Sequence, residues 1–509
     1  MQAPTGIAFV QEAKQKKEME GMGYVIYSIY VLSTLWLLAT ALVQLRLLWH
    51  AKKRSRRTTS ELGQLPFVTI QVPVYNEKYV IADLLYCLSK FDYPVNLFEI
   101  QVLDDSTDET SCIIDQLAKH VEQKGIAISV VRRKNRTGYK AGALQHGLSL
   151  CKGDYIAIFD ADFQPSPSFL RDMLPHFMNE KVGLVQARWG HLNRGQNFLT
   201  QIQTYLLDMH FQVEQAGRYK AGHFINFCGT AGVWRKQCII DAGGWDGEVL
   251  SEDLDLSYRA QLKGWKIVYD ESVEVPAQLP SVIEAFKIQQ FRWTKGIAQT
   301  ARKSLGKVFS MPVSFRKKIH AAFHLLGSFT FVCLLVNALL TVPLLQLRNH
   351  YPVFIDLTNY TVIGAFNMAA LGYLYYASTP NSPKKGLRFL TYYPLFLVVY
   401  LAMSVQNAIA VIQGFAGMKS AFHRTPKFNT QAAITNHYFN RKSGWMIYVE
   451  AAIFFYFIYG IGMSFYYGDF FLLFFFVLMC SGLMILVYQS LPTFTIKKFQ
   501  NFSLARLMR

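Results

Sequence analysis

Charge is scarce in this sequence. Asp, Glu, Lys and Arg make up only 17% of it, against roughly 25% in ordinary soluble domains, which excludes a uniformly solvated globular protein. The deficit is uneven. It falls in a few long apolar runs, whereas the stretch from Pro66 to about Phe309 reads as a soluble α/β domain. Acidic residues are scarcer still, 34 against 52 basic ones. The basic residues gather beside the apolar runs, so the excess reads as positive-inside bias and contact with anionic lipid. A nucleic-acid partner is not expected, because its charge would line a soluble face. The seven cysteines have no CxxC spacing, which argues against a structural zinc site or a disulfide framework and fits a reducing, cytoplasmic surrounding. No cleavable signal peptide is expected either: the first apolar run follows a polar leader, is too long and ends in a basic cluster.

The apolar runs themselves are long enough to matter. Tyr24 to Trp49 exceeds the ~20 residues a membrane helix needs and is followed by Lys52, Lys53, Arg54, Arg56 and Arg57, a cluster expected to stay in the cytoplasm. Further spans are expected at about 320–346, 355–377, 445–467 and 470–491. The segment 389–415 has a spanning hydropathy but basic residues on both flanks, with Lys384, Lys385 and Arg388 before it and Lys419, Arg424 and Lys427 after it. Tyr393-Pro394 and Gln406-Asn407 interrupt it. It is read as re-entrant or as lying along the interface, which leaves five full crossings and an external N-terminus.

Between the first and later spans, short apolar β-branched runs alternate with helical patterns. Phe67–Val74, Ile100–Leu103, Ile128–Val131 and Tyr155–Phe159 read as strands, and 78–90, 108–123 and 139–150 as helices. That alternation predicts an α/β fold with a mostly parallel sheet, its ligands at the carboxyl ends of the strands. The expected division is 1–57 for a first transmembrane helix and its basic flank, 58–309 for the α/β domain and 310–509 for a membrane region.

Acidic residues follow two of those strands. Asp160-Ala161-Asp162 has the spacing to share a hard divalent cation that would neutralise a diphosphate, though a solvated loop has the same composition. Asp104-Asp105-Ser106 offers carboxylates to a nucleobase or ribose, or simply caps a helix. Gly138 to Ala143 reads as a tight turn into a helix, with Lys140 available to phosphate; it is not a Walker A loop. Ser251-Glu252-Asp253 opens a helical pattern, so Asp253 is either a general base or an ordinary first-turn acid. In Gln289-Gln290-Phe291-Arg292-Trp293, Trp293 offers a flat face to a sugar ring and Arg292 paired donors to a diphosphate; the plain alternative is an interfacial Trp with a snorkelling Arg. Phe422 to Phe428 is a basic loop.

Singly these motifs are weak, but their order is specific. Asp-Asp, Asp-x-Asp, Glu-Asp and Gln-x-x-Arg-Trp between membrane helices resemble the processive family 2 glycosyltransferases. The stretches Gln101–Asp108, Gly138–Leu144, Ala157–Pro165, Val185–Trp189 and Gly229–Arg235 are similar to the cellulose-synthase-like A and C group, which makes mannan, glucomannan and β-glucan backbones. The resemblance implies a GT-A-type domain that binds a nucleotide sugar (GDP-mannose or UDP-glucose) through Asp104, Asp105, Lys140, Asp160 and Arg292. It implies Mg²⁺ or Mn²⁺ at Asp160 and Asp162, and catalysis by Asp253 beside Glu252. The acceptor would meet Gln289, Trp293 and the Cys228-Gly229-Thr230 loop, and Arg424, Thr425, Pro426 and Lys427 would form a gating-like loop. The expected product is a growing β-linked polysaccharide, probed against two alternatives: single-sugar transfer to a membrane lipid, and a transporter, which would need intramembrane ionisable residues or internal repeats. Ser251 stands where the group often has Thr. The short loops lead to the expectation of a bacterial inner membrane with the catalytic domain in the cytoplasm.

Overall fold

The computed structural model describes residues 6–53, 63–355, 362–420 and 445–490. A seven-stranded sheet forms the centre of the domain, in the order β3-β2-β1-β4-β6-β5-β7. Its strands are β1 (Val68–Val74), β2 (Phe98–Asp104), β3 (Ala127–Val131), β4 (Tyr155–Ile158), β5 (Val182–His191), β6 (Gly232–Arg235) and β7 (Lys266–Ala277). β1 and β2 are buried along nearly their whole length, the pattern of strands covered by helices on both faces. β6 runs antiparallel to β4 and β5, and every other pairing is parallel.

The four strands expected from sequence are present within two residues of their predicted ends. β5, β6 and β7 are additions. β6 is only four residues long and runs straight into the helix Lys236–Asp241, too short for periodicity to mark it. The cores on the two sheet faces are separate, one around Val72, Phe98 and Phe169 and the other around Leu144, Phe227 and Trp234.

Four helices among the described residues are long and apolar enough to cross a membrane: Lys17–Ala51, Gly327–His350, Lys385–Phe415 and Met446–Tyr467. Two shorter apolar helices, Val362–Ser378 and Leu473–Ser490, lie with them. The 389–415 segment does not re-enter. It lies within one unbroken helix, Lys385–Phe415, of 31 residues that carries Pro394 inside it, as prolines are tolerated in membrane helices.

Both ends of this helix touch the catalytic domain. Near one end, the Tyr205 hydroxyl donates to the Arg388 carbonyl (3.2 Å) and its ring packs on Phe389. Near the other, the Lys295 ammonium donates to Gln413 (3.0 Å) and Gly414 presses on Ala298. At 1.5 Å per residue, Arg388 and Gly414 are separated by about 39 Å, more than the ~30 Å of a hydrocarbon core. A helix crossing the bilayer would carry one of those contacts to the far side. Asn381→Cys and Met418→Cys, on its two flanks, are therefore expected to react with an impermeant reagent from the same face. Reaction from opposite faces would mean that the helix crosses.

Candidate active site

One cavity opens at the carboxyl ends of β1, β2 and β4, where the mostly parallel sheet leaves room for a ligand. Tyr75, Glu77, Asp105 and Arg136 line one side and Lys140, Asp160 and Asp162 the floor. Cys228, Gly229, Glu252 and Asp253 lie across from them, and Gln289, Arg292 and Trp293 close the top. Eleven residues singled out by sequence thus meet in one space although they are spread over the chain from Asp105 to Trp293.

Lys140 sits at the centre of the charges. Gly138, at φ 70°, makes the left-handed turn that starts the helix Tyr139–Leu150, and a Cβ on Gly142 would lie 2.1 Å from the Thr137 carbonyl oxygen. This tight entry directs the Lys140 ammonium to Asp160 Oδ1 (2.6 Å) and the Gly229 carbonyl (2.8 Å). Burial works against that ammonium, but Asp160, Glu252 and Asp253 more than offset it and hold its pKa above the ordinary value. Thr230 does not line the cavity; its hydroxyl accepts from the Asp160 backbone N–H (2.8 Å) and so fixes the carboxylate's position.

Glu252 and Asp253 occupy the first turn of the helix Glu252–Leu262. Burial, then repulsion from Glu252, pushes the Asp253 carboxyl up to about 7, and burial raises Glu252 as well. A carboxyl poised near neutrality has the basicity that proton abstraction at physiological pH requires. Gly229, at φ 83°, brings its backbone so close that a Cβ there would lie 3.1 Å from Asp253 Oδ2.

The Gln-x-x-Arg-Trp residues project from the helix Ile283–Ser310. Burial lowers the Arg292 pKa, against the pull of Glu252, Asp160 and Asp253, yet a guanidinium stays charged in any case. Trp293 lies 6.5 Å, centroid to centroid, from Trp189, so two indoles share this wall. The same helix is tied to the last membrane hairpin: the Lys287 ammonium donates to both carboxylate oxygens of Glu450, at 2.7 and 2.9 Å, and Glu450 is wholly buried. Removing one charge of such a pair leaves the other buried and uncompensated, at a cost of ~3–5 kcal/mol. Glu450→Gln is therefore expected to lower the melting temperature of the detergent-solubilised protein, and the double variant K287Q/E450Q to recover most of the loss. An unchanged melting temperature in the single variant would show the pair to be immaterial.

Asp104 departs from expectation. It is the last residue of β2 and its carboxylate faces away from the cavity, where it accepts from Arg132 Nε (2.8 Å), Ser111 Oγ (2.8 Å) and the Ser106 N–H (3.0 Å). It orders the turn that presents Asp105. Asp105 itself is gripped through both oxygens by Arg133, which sequence reasoning missed. It also missed Arg136, whose guanidinium lies 3.3 Å from the centroid of the Tyr75 ring. The basic run Arg132-Arg133-Lys134-Asn135-Arg136 just after β3 was the available signal. Arg424, Thr425, Pro426 and Lys427 lie outside the described residues. Among the described residues no three or more His, Cys, Asp or Glu side chains cluster as metal ligands.

Residues 66–296 match the glycosyltransferase like family 2. These residues form a family 2 glycosyltransferase domain. The chain is 39% identical over 323 residues to "Glucomannan 4-beta-mannosyltransferase 1" of Oryza sativa subsp. japonica, a match covering 59% of this chain and 61% of the relative. It is 41% identical over 282 residues to "Glucomannan 4-beta-mannosyltransferase 7" of Arabidopsis thaliana, covering 54% of this chain and 50% of the relative. The matches thus span half to three fifths of these curated relatives. Among solved structures, the fold is similar to that of a mannosyltransferase from Pyrobaculum calidifontis in complex with GDP-Man and Mn²⁺, with a TM-score of 0.52, 18% identity, and coverage of 77% of this chain and 100% of that one. The family 2 domain therefore has a GT-A fold with apolar helices before and after it. Both sequence relatives are plant proteins, so nothing supports the bacterial inner membrane expected from the short loops.

Proposed function

We propose that the chain is a membrane-embedded inverting glycosyltransferase that extends a β-linked, 1,4-joined hexose polysaccharide from a nucleotide sugar. The observation that carries this reading is the meeting, in one cavity, of a carboxyl raised to about 7 at Asp253 with the Lys140–Asp160 pair and the Gln289, Arg292 and Trp293 wall. Asp253 takes the proton of the acceptor hydroxyl as that oxygen attacks the anomeric carbon. The nucleoside diphosphate leaves from the opposite side, so a single displacement inverts the configuration. Arg292 and Lys140 receive the charge that develops on the diphosphate, Asp105 and Arg136 hold the nucleoside, and Trp293 stacks on the terminal sugar, with Gln289 and the Cys228-Gly229 turn beside it. Glu252 raises the pKa of its neighbour.

Asp160 and Asp162 fit a divalent cation. Both line the cavity floor, and Asp160 already holds a positive charge, the Lys140 ammonium. Mg²⁺ sites commonly use one or two carboxylates and complete their shell with substrate phosphates. When bound there, Mg²⁺ or Mn²⁺ would neutralise the leaving diphosphate.

The relatives' names favour GDP-mannose as donor, with UDP-glucose the competitor. The test is to offer both to the purified protein with its divalent cation and to analyse linkage and size of the product. A β-1,4-linked polymer is the expected result, and an α-linked one would overturn the mechanism. A single sugar on lipid would replace this reading by the non-processive one. The proximity of the Trp293 wall to the membrane helices, seen in the Lys287–Glu450 pair, supports export coupled to synthesis.

A further inference from the structure

At the inner end of the first membrane helix, three elements bring basic side chains together away from the catalytic cavity. His50 is the last residue but one of the span Lys17–Ala51. The helix Ala216–Lys220 presses on it so closely that a Cβ on Gly217 would lie 2.3 Å from the Leu47 carbonyl oxygen, and Lys220 caps the Ala51 carbonyl (2.7 Å). The helix Phe315–Leu325 lies alongside, with Phe323 stacked on Trp36. Arg218 and His320 therefore arrive next to His50, and the Arg316 guanidinium reaches His50 Nε2 (3.4 Å). The His223 and His320 rings stack at 3.7 Å.

This cluster is short of negative charge. The charged groups that act on His223 and His320 are Arg46, His50, Arg218, Arg316 and Lys317, and burial followed by those positive neighbours holds both imidazoles well below the ordinary value, at about 3 and about 4. Glu214 is the acid at its edge, 3.4 Å from Arg218 but also bonded to His210. His50 and Arg218 are only 7% and 8% exposed, yet His50 Nδ1, Arg218 Nη1 and His223 Nε2 are buried donors or acceptors with no protein partner among the described residues. Buried polar groups left in this way are costly, and converging donors with excess positive charge are what a phosphate oxygen requires.

We infer that Arg46, His50, Arg218, Arg316 and His320 form a binding site for a phosphate group, supplied by the headgroup of an anionic phospholipid. The depth of the site selects that source, because it lies where the apolar span ends and headgroups begin. The inference rests on the first helix spanning the bilayer and is independent of the glycosyltransferase reading.

Retention of phosphatidylglycerol and phosphatidylcholine by the full-length protein in neutral detergent, read by native mass spectrometry, tests it. Arg46→Gln and Arg316→Gln alter exposed side chains and leave the buried members in place. Each is expected to weaken phosphatidylglycerol retention by roughly fivefold, from the ~1 kcal/mol that a basic residue contributes at an anionic surface, and to leave phosphatidylcholine unaffected. Lys318→Gln removes a charge from the same helix whose ammonium is bonded instead to the Phe309 carbonyl (2.6 Å), so it should change nothing. Equal retention by wild type, R46Q and R316Q, or an equal loss in K318Q, would overturn the site. Displacement of the lipid by low-millimolar inorganic phosphate would overturn the lipid as its source.

Discussion

Asp253→Asn should leave a folded protein that binds its donor and barely turns over. Asn keeps the size and the hydrogen-bonding edge of the side chain but cannot accept a proton. General-base assistance is worth ~10²–10⁴-fold, and that is the expected fall in polymer synthesis. The pH profile gives a second reading. Burial and Glu252 raise the Asp253 carboxyl to about 7, and the active form is the carboxylate, so the turnover of the wild type should climb as pH rises through about 7 and then level off. The Asn variant should lack that inflection. Near-normal synthesis by the variant, or an inflection that survives the change, would remove Asp253 from the role of base. Donor affinity, measured separately by calorimetry, should be close to that of the wild type, because the residues proposed to hold the nucleoside, Asp105 and Arg136, belong to other elements of the cavity lining.

Asp160→Ala is expected to abolish metal-dependent turnover without unfolding the domain. The carboxylate is about one third exposed, and a solvated acid of this kind contributes little to stability. Its loss removes the partner of the Lys140 ammonium, which keeps the Gly229 carbonyl, and it would remove one of the two carboxylates proposed to hold the cation. The same reasoning applies to an excess of chelator on the unaltered protein, where activity should vanish and return on adding Mn²⁺ or Mg²⁺. Full activity in chelator would end the proposal of a metal at Asp160 and Asp162.

The sheet was legible in the sequence where a strand is buried on both faces. β1, β2 and β4 are mostly apolar, β-branched runs that stop at an acid or a polar turn, although Thr69 and Gln71 in β1 and Glu99 and Gln101 in β2 are polar and buried, and a run of that kind ends at the edge of the sheet. Asp105 and Asp160 were located for that reason. Asp104 was misplaced because neighbouring side chains on a strand point to opposite faces, and adjacency alone does not tell which of two aspartates faces the ligand. Arg133 and Arg136 were missed because a basic loop looks the same whether its guanidinia meet water or, as here, a carboxylate and a tyrosine ring. The segment 389–415 was misread in part: against a spanning hydropathy, its basic flanks and the Tyr393-Pro394 and Gln406-Asn407 interruptions suggested a re-entrant or interfacial segment, but Pro394 lies inside one continuous helix. What hydropathy did not carry was the partner of each end, Tyr205 at one and Lys295 at the other.

The Lys287–Glu450 pair also bears on modularity. By sequence, the catalytic domain ends near residue 309, an apparent seam at which to exchange it for that of a relative with another donor. The pair crosses that seam. Lys287 lies two residues before Gln289, on the helix that carries Arg292 and Trp293, and its partner is 163 residues further along the chain. A chimera cut at the seam inherits the lysine from one parent and the surroundings of the glutamate from the other, so the Arg292 and Trp293 wall of the cavity would no longer be registered against the helices behind it. The unit of exchange is therefore the domain together with its last hairpin.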